Sequence, residues 1–281
     1  MSASTVVLRA GLRRRIVRGL LLTLALVYVG VLLLAPTVGI LLSVLREGTG
    51  ILSTTFARPD VQNALKLTVG ITLMTVAVTA LFGVITAWVL ARDNFPGRSL
   101  LNAIVDLPMA VSPVIVGLMA VLLFGRGGWF EPFFAAQGIQ IIFAVPSMVI
   151  VTIFISIPFV IREVTPVLQE IGTDEEEAAK TLGASSLQTF FRVTLPNIKW
   201  ALLYGIALSA ARAMGEIGAV LIVSGVLQGM NETATLFIFR ALEERQDAQA
   251  HVVALTLAAV SIVLLIAIEF FKHRQSKAIS K

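Results

Sequence analysis

Between Gly19 and Leu45 the chain passes through twenty-seven consecutive residues without a charged side chain. A helix needs roughly 20 apolar residues to cross about 30 Å of hydrocarbon, so this run is span-length. A second uncharged run, Leu67 to Ala91, is nearly as long. A transmembrane barrel would instead show alternating segments of about ten residues, whereas these runs are continuous and rich in Leu, Val, Ile and Ala. Only 14% of the residues are charged and the mean hydropathy is +0.91, against about a quarter charged in a soluble domain. The expected class is an all-α polytopic membrane protein.

Breakers and charges divide the chain into about six spans. A basic arm, residues 1–18, carries Arg9, Arg13, Arg14, Arg15 and Arg18 and precedes the first span at 19–45. Its apolar stretch is far longer than the 7–15 residues of a signal-peptide core, so an uncleaved span is expected. The second span follows the polar segment Arg46–Lys66, and the turn Arg92–Arg98 with Pro96-Gly97 ends it. A third span is read over Asp106–Phe124 and a fourth within Ile139–Ile161. A polar island, Gly172–Lys199, comes next, then a fifth span over Trp200–Ser224. The loop Gly225–His251 leads to a sixth span at Val252–Phe271, and residues 272–281 form a basic tail.

With six spans both termini lie on one side. That side collects fifteen Lys and Arg against five on the other, which by the positive-inside rule places the termini and the island in the cytoplasm. The net charge of +5 is thereby explained without nucleic acid. No cysteine is present, so disulfides, thiolate metal sites and a cysteine nucleophile are excluded. Gly125-Arg126-Gly127-Gly128 lacks the Gly-Lys-Ser/Thr of a P-loop. His251 and His273 stand at opposite ends of the last span, too far apart to share a metal. No catalytic residue and no bound cofactor are expected.

The island, GTDEEEAAKTLGASSLQTFFRVTLPNIK, is far longer than the 2–8 residues that suffice to join neighbouring helices. Thr173 and Glu176 have capping-box spacing, and Asp174, Glu175 and Glu176 suit the positive end of a helix dipole. Ala178, Ala179 and Leu182 give a small apolar face, and Gly183 can close the helix in the left-handed conformation. Ser185 or Ser186 would cap a second helix carrying Leu187, Phe190, Phe191 and Leu195, with Pro196 as its stop. A helix lying on the anionic leaflet would be basic. This one is acidic, so its surface is suited to a soluble protein partner.

Glu177-Ala178-Ala179, Gly183 and Leu195-Pro196 fall in register with the EAA loop of ATP-binding-cassette importer permeases, with Val193 at that pattern's isoleucine. The island resembles that loop. Further stretches, DLPMAVSPVIVGL (106–118), LPNIKWALLYG (195–205) and ARAMGEIGAVLIVSG (211–225), resemble the sulfate/thiosulfate permeases, the W-type branch nearest. The resemblance covers roughly residues 60–270. It implies a type I importer transmembrane domain over 60–271 with a coupling loop at 172–199. In it Glu177 would meet a cytoplasmic ATPase dimer and Gly183 would shape the turn. It further implies a sister permease, an extracytoplasmic sulfate-binding protein, and ATP-Mg on the ATPase. Molybdate permeases share much of the 212–219 pattern, so molybdate or tungstate stays open as cargo. A stand-alone secondary transporter or channel is the other class. Its usual inverted repeats are not found.

Arg212 and Glu216 lie within the fifth span, one turn apart. A charge at mid-bilayer costs about 2.5–3.5 kcal/mol on insertion scales. They either pair at i, i+4 or line the translocation path, where Arg212 could attract an anion. Gly205, Gly215 and Gly218 would permit close helix approach. Asp106 would cap a helix or face the path, and Pro108, Pro113, Pro146 and Pro158 are expected to kink their helices.

Overall fold

The computed structural model describes the backbone of residues 3–48, 50–225 and 231–279. The side chains of the basic arm up to residue 16 and of the tail from residue 270 lie outside that description, as do residues 226–230 of the last long loop. Every regular element among the described residues is a helix. Four helices are long and apolar enough to cross a membrane, and two bent pairs raise the number to six if each is one span.

The packing is built on three of them. α1 (Ala3–Arg46) leaves most of its described apolar side chains outward, Val44 excepted, and packs chiefly against the last helix. α2 (Gly50–Ala57) is short, and α3 (Pro59–Arg92) is the first helix with a buried face. Its start precedes the uncharged run by eight residues, because Val61 and Ala64 are already buried in a cluster with Phe237 and Ala241. The polar segment before the second span is thus largely helical.

The third span is not one helix. α4 (Arg98–Ala110) and α5 (Pro113–Phe124) meet at Val111-Ser112 with a change of direction of 112°. Pro113 starts α5, where its missing N–H is harmless, while Pro108 sits inside α4. Asp106 neither caps a helix end nor stands alone. It lies within α4 and pairs with Arg162 at 2.6 Å, with Asn102 accepting a further bond from the same guanidinium.

After the short α6 (Glu131–Ala135), α7 (Val145–Ile171) begins six residues later than expected and runs ten residues further. Pro146 stands in its first turn; Pro158 and Pro166 are internal. α8 (Asp174–Thr181) belongs to the island. Then α9 (Ser186–Thr189), a π-helical turn over Phe190–Thr194, and α10 (Leu195–Met214) form one uninterrupted helix. Pro196 was expected to stop the chain before the fifth span, and it does not. A proline cannot donate to the ladder, and the preceding turn widens so that Leu195 N bonds Phe190 O. Such single-turn widenings absorb a missing bond without ending a helix. The span finally breaks at residues 215–217, and α11 (Gly218–Ser224) leaves at 55°. The loop before the last span contains α12 (Ala234–Glu243), and α13 (Asp247–Ile279) closes the chain. His251 on α13 is half-buried, its Nδ1 2.9 Å from the Ser43 hydroxyl of α1.

α3, α7 and α10 approach one another at Val160, which is fully buried. A Cβ built on Gly83 of α3 would lie 2.8 Å from the Val160 Cβ, and one on Gly205 of α10 would lie 2.9 Å from its Cα. Both are closer than van der Waals contact allows, so only glycine fits. Nearby, the Thr79 and Ser209 hydroxyls are bonded at 3.0 Å between α3 and α10. Two apolar clusters extend from this point. One, around Leu90, Val164 and Ile198, lies toward the island; the other, around Met148, Val151 and Val220, lies toward α5 and α11.

Gly205→Ala is expected to destabilise the protein by about 1–3 kcal/mol through overpacking. Gly70→Ala, also within α3 but with nothing inside 4 Å of its Cβ position, should be neutral or stabilising by up to about 1 kcal/mol, the helix-propensity gain. Thermal unfolding in detergent should therefore come earlier for Gly205→Ala and be unchanged or later for Gly70→Ala.

Candidate functional site

Two places gather the residues singled out in the sequence. The first is the island. The first turn of α8 holds Asp174, Glu175, Glu176 and Glu177, as the dipole favours. The expected capping box between Thr173 and Glu176 does not form. The Thr173 side chain makes no cap bond, and its hydroxyl donates to Glu177 Oε1 at 2.8 Å instead. Glu176 turns inward: its Oε1 accepts from Arg92 Nη2 at 3.0 Å and from the Thr194 hydroxyl at 2.9 Å. A charge-assisted bond to a guanidinium is roughly twice as strong as a neutral one, and this one is nearly shielded from water. Arg92 also donates to Leu168 O at 2.8 Å. One buried contact therefore ties α8 to the ends of α3 and α7 and to the π turn below α10.

Gly183 adopts φ +87°. Its N–H bonds Lys180 O at 2.9 Å and the next N–H bonds Ala179 O at 3.0 Å, the paired closure of a helix on a left-handed residue. Ser185 then caps α9 in a complete box with Gln188: the Gln188 N–H donates to the Ser185 hydroxyl, and the Gln188 side chain accepts from the Ser185 N–H. The corner leaves Leu182 89% exposed at its tip. Glu177, Ala178, Gly183, Leu187 and Phe191 are exposed beside it, and Ala179 is half-buried. Phe190 turns in and stacks on Trp88 at 5.5 Å. Leu195 is half-buried against the lower cluster, while Pro196 faces outward. The helix pair is thus held firmly at its root and presents an apolar tip with acidic flanks.

The second place is the break in the fifth span. Arg212 Nη1 and Glu216 Oε2 lie 2.7 Å apart, so the pair forms, yet Glu216 is not in α10. It sits in the non-helical turn, where its Oε1 accepts from Ala219 N at 2.8 Å and its carbonyl accepts from the Thr235 hydroxyl at 2.9 Å. One carboxylate therefore joins the end of α10 to the start of α11, and α12 holds the turn from behind. Glu216 is buried, whereas the Arg212 side chain keeps 31% of its surface open, next to exposed Gly215 and Ile217. Of the three glycines expected to bring helices together here, Gly205 does so and Gly218 meets Pro113. Gly215 has only its own helix within 4 Å.

Sequence reasoning missed Arg92, Thr194 and Thr235, which fix these two places through partners distant in the chain. It also missed a compact ionic group formed by Arg58, Asp60, Glu232, Arg240 and Glu244. There Arg58 and Arg240 both stand over the buried Phe237 ring, at 5.8 and 5.2 Å. The hydrogen bonds it donates to the Glu232 carboxylate hold the Arg240 guanidinium well above its ordinary pKa. The i, i+4 spacing of Arg240 and Glu244 was its one local signal. Among the described residues no group of three or more potential ligands could hold a metal ion.

Residues 80–281 match the model of the family described as "Binding-protein-dependent transport system inner membrane component". The chain belongs to that family. Its curated relatives include the sulfate transport system permease protein CysW of Synechocystis sp., 46% identical over 258 residues that cover 92% of this permease and 94% of the relative. CysW of Escherichia coli K12 is 43% identical, with 83% and 80% covered. The sulfate transport system permease protein CysT of Salmonella typhimurium is 36% identical, with 93% and 95% covered. In fold, the permease is similar to a chain of a bacterial ABC transporter involved in the import of the acidic polysaccharide alginate. The TM-score is 0.76 at 18% identity, covering 98% of this chain and 99% of the other. The helical importer fold expected from the sequence is the fold observed.

Removing either partner of the Arg92–Glu176 pair strands a buried charge, a change that typically costs about 3–5 kcal/mol. Arg92→Met and Glu176→Leu are each expected to expose the 172–199 segment to limited proteolysis. The double variant should be more resistant than either single one.

Proposed function

We propose that this permease is the transmembrane subunit of an ATP-driven importer of sulfate, with thiosulfate as a further cargo, in the bacterial cytoplasmic membrane. The observation that carries the mechanism is the island's construction: an exposed helical corner with Leu182 at its tip, rooted by the Arg92–Glu176 contact in the three packed helices. Such a corner can be pushed as a body, and what pushes it is read as a soluble ATPase dimer that binds ATP-Mg. On this reading the island and both termini face the cytoplasm, in keeping with the distribution of Lys and Arg. The CysW and CysT relatives support sulfate as the cargo and a sister permease as the second half of the pathway. A structural neighbour with an alginate-bound periplasmic protein supports delivery by an extracytoplasmic binding protein, here one that carries sulfate.

In this scheme Glu177, Ala178, Ala179 and Gly183 form the docking helix and its corner, and Leu195 and Pro196 lead from it into the fifth span. Arg212 borders the path. Its charge is paired with Glu216 and its outer side is open, which gives an anion a transient foothold in place of a tight site. A permease supplied by a binding protein needs no strong site of its own, and a strong one would slow release.

Uptake of radiolabelled sulfate, competed by thiosulfate, molybdate and tungstate, tests the cargo. Sulfate and thiosulfate are expected to compete and the two metal oxyanions to do so weakly; the reverse order would overturn the assignment. Arg212→Ala should slow uptake about tenfold or more, a loss of about 1.4 kcal/mol, in complexes that assemble normally. Uptake at the wild-type rate would remove Arg212 from the path. Gly183→Pro and Glu177→Arg, with expression monitored, should uncouple ATP hydrolysis from transport. Intact transport-coupled ATPase activity in both would refute the docking role.

A further inference from the structure

The connection between α5 and α7 carries large aromatic side chains that the transport reading leaves unused. Its chain folds back at once: Gly128 N bonds Gly125 O at 2.8 Å and Phe130 N bonds Leu123 O at 2.9 Å. Four aromatic residues of this segment then sort into two pairs at helical spacing. Phe130 and Phe134 pack on Phe124 of α5, with ring centroids 5.4 and 5.9 Å away, Phe130 keeping 47% of its surface open. Trp129 and Phe133 turn outward, 84% and 64% exposed. At the far end, Gly138 and Ile139 close α6 by bonds to Ala135 O and Phe134 O, both 3.0 Å. The segment is thus a small folded unit, pinned to α5 through Phe124 and presenting outside the Trp129 ring and Phe133, whose inner edge packs against Phe134 at 5.2 Å.

We infer that this outward face lies in the membrane–water interface, with Trp129 and Phe133 seated among lipid headgroups and upper acyl chains. The exposed apolar stripe of α5, including Leu118 and Leu122, runs directly into it, so the face continues a surface already suited to hydrocarbon. An indole has an apolar body and one N–H donor, and that combination favours the interface over either bulk phase. The nearby ionisable groups, Arg126 and Glu131, are one of each sign, and Arg126 is exposed on the turn just before Trp129. Such a patch has little for a soluble protein to recognise by charge. The exposed charged residues Glu243, Glu244, Arg245 and Asp247 are the better surface for that. The seat would hold the short α5, which follows the 112° turn, at a fixed depth.

Because the chain has no cysteine, a nitroxide attached to Trp129→Cys reports on that position, once the signal of the labelled unmutated complex is subtracted. The assembled transporter would be reconstituted into phosphatidylcholine vesicles, with Gln137→Cys, exposed beyond α6, as the reference. Collision with oxygen should exceed collision with a water-soluble nickel chelate at residue 129, by several-fold relative to residue 137. Equal nickel access at the two positions would overturn the proposal. So would a label at 129 that is water-accessible alone and becomes shielded only when a substrate-binding protein is added. Neither result depends on which anion is carried.

Discussion

Helices in a bilayer gain nothing from hiding apolar surface, because lipid is as apolar as they are. What holds them must therefore be close contact, and here closeness is set at Val160. Gly83 and Gly205 remove the only atoms that would keep α3 and α10 away from α7 at that level, and the buried Thr79–Ser209 bond adds a polar clasp beside it. The two apolar clusters on either side pack because the three backbones have already been brought within reach. α5, α11 and α12 then pack around the upper cluster, and the island hangs from the lower one.

The ends of this packed unit are fastened differently from its middle. At the island the fastening is an ion pair that has almost no access to water. A buried pair gains little net stability, since desolvation offsets attraction, but it fixes geometry by making every alternative costly. That suits a helix whose outer surface is otherwise free. At the break, Glu216 does the corresponding work with one carboxylate and three partners: Arg212, the Ala219 N–H and, through its backbone, Thr235. A continuous helix would have no need of these bonds, so the charge there is tied to the interruption.

Much of this was legible in the sequence, and the failures have a common cause. Apolar runs identify spans because hydrocarbon thickness sets their length, so the first, second and sixth could be placed. The left-handed corner at Gly183 and the cap at Ser185 were readable because caps are local chemistry. Hydropathy carries no information about axis direction, however, so the turn at Val111-Ser112 and the break at residues 215–217 were invisible. Glu176 has the spacing of a capping acid and nothing local announces that Arg92, 84 positions earlier, will claim it. Pro196 was misjudged because a proline's missing donor can be absorbed by a wider turn as well as by a stop. The glycine contacts at Val160 likewise join residues from three separate spans.

The uninterrupted helix from Ser186 to Met214 has a mechanical consequence. At a rise of 1.5 Å per residue it is a rod of about 43 Å, reaching from the exposed corner to the edge of the break. A tilt of about 5° at its lower end would carry its upper end sideways by roughly 4 Å, from the same rise and length. The π turn near its foot introduces no joint, since the hydrogen-bond ladder passes through it. The slack lies where the rod ends, at Gly215. Leverage, as much as contact, thus connects the two places: a tilt at the corner is carried along the rod as sideways displacement, past the contact of Gly205 with Val160, to Arg212.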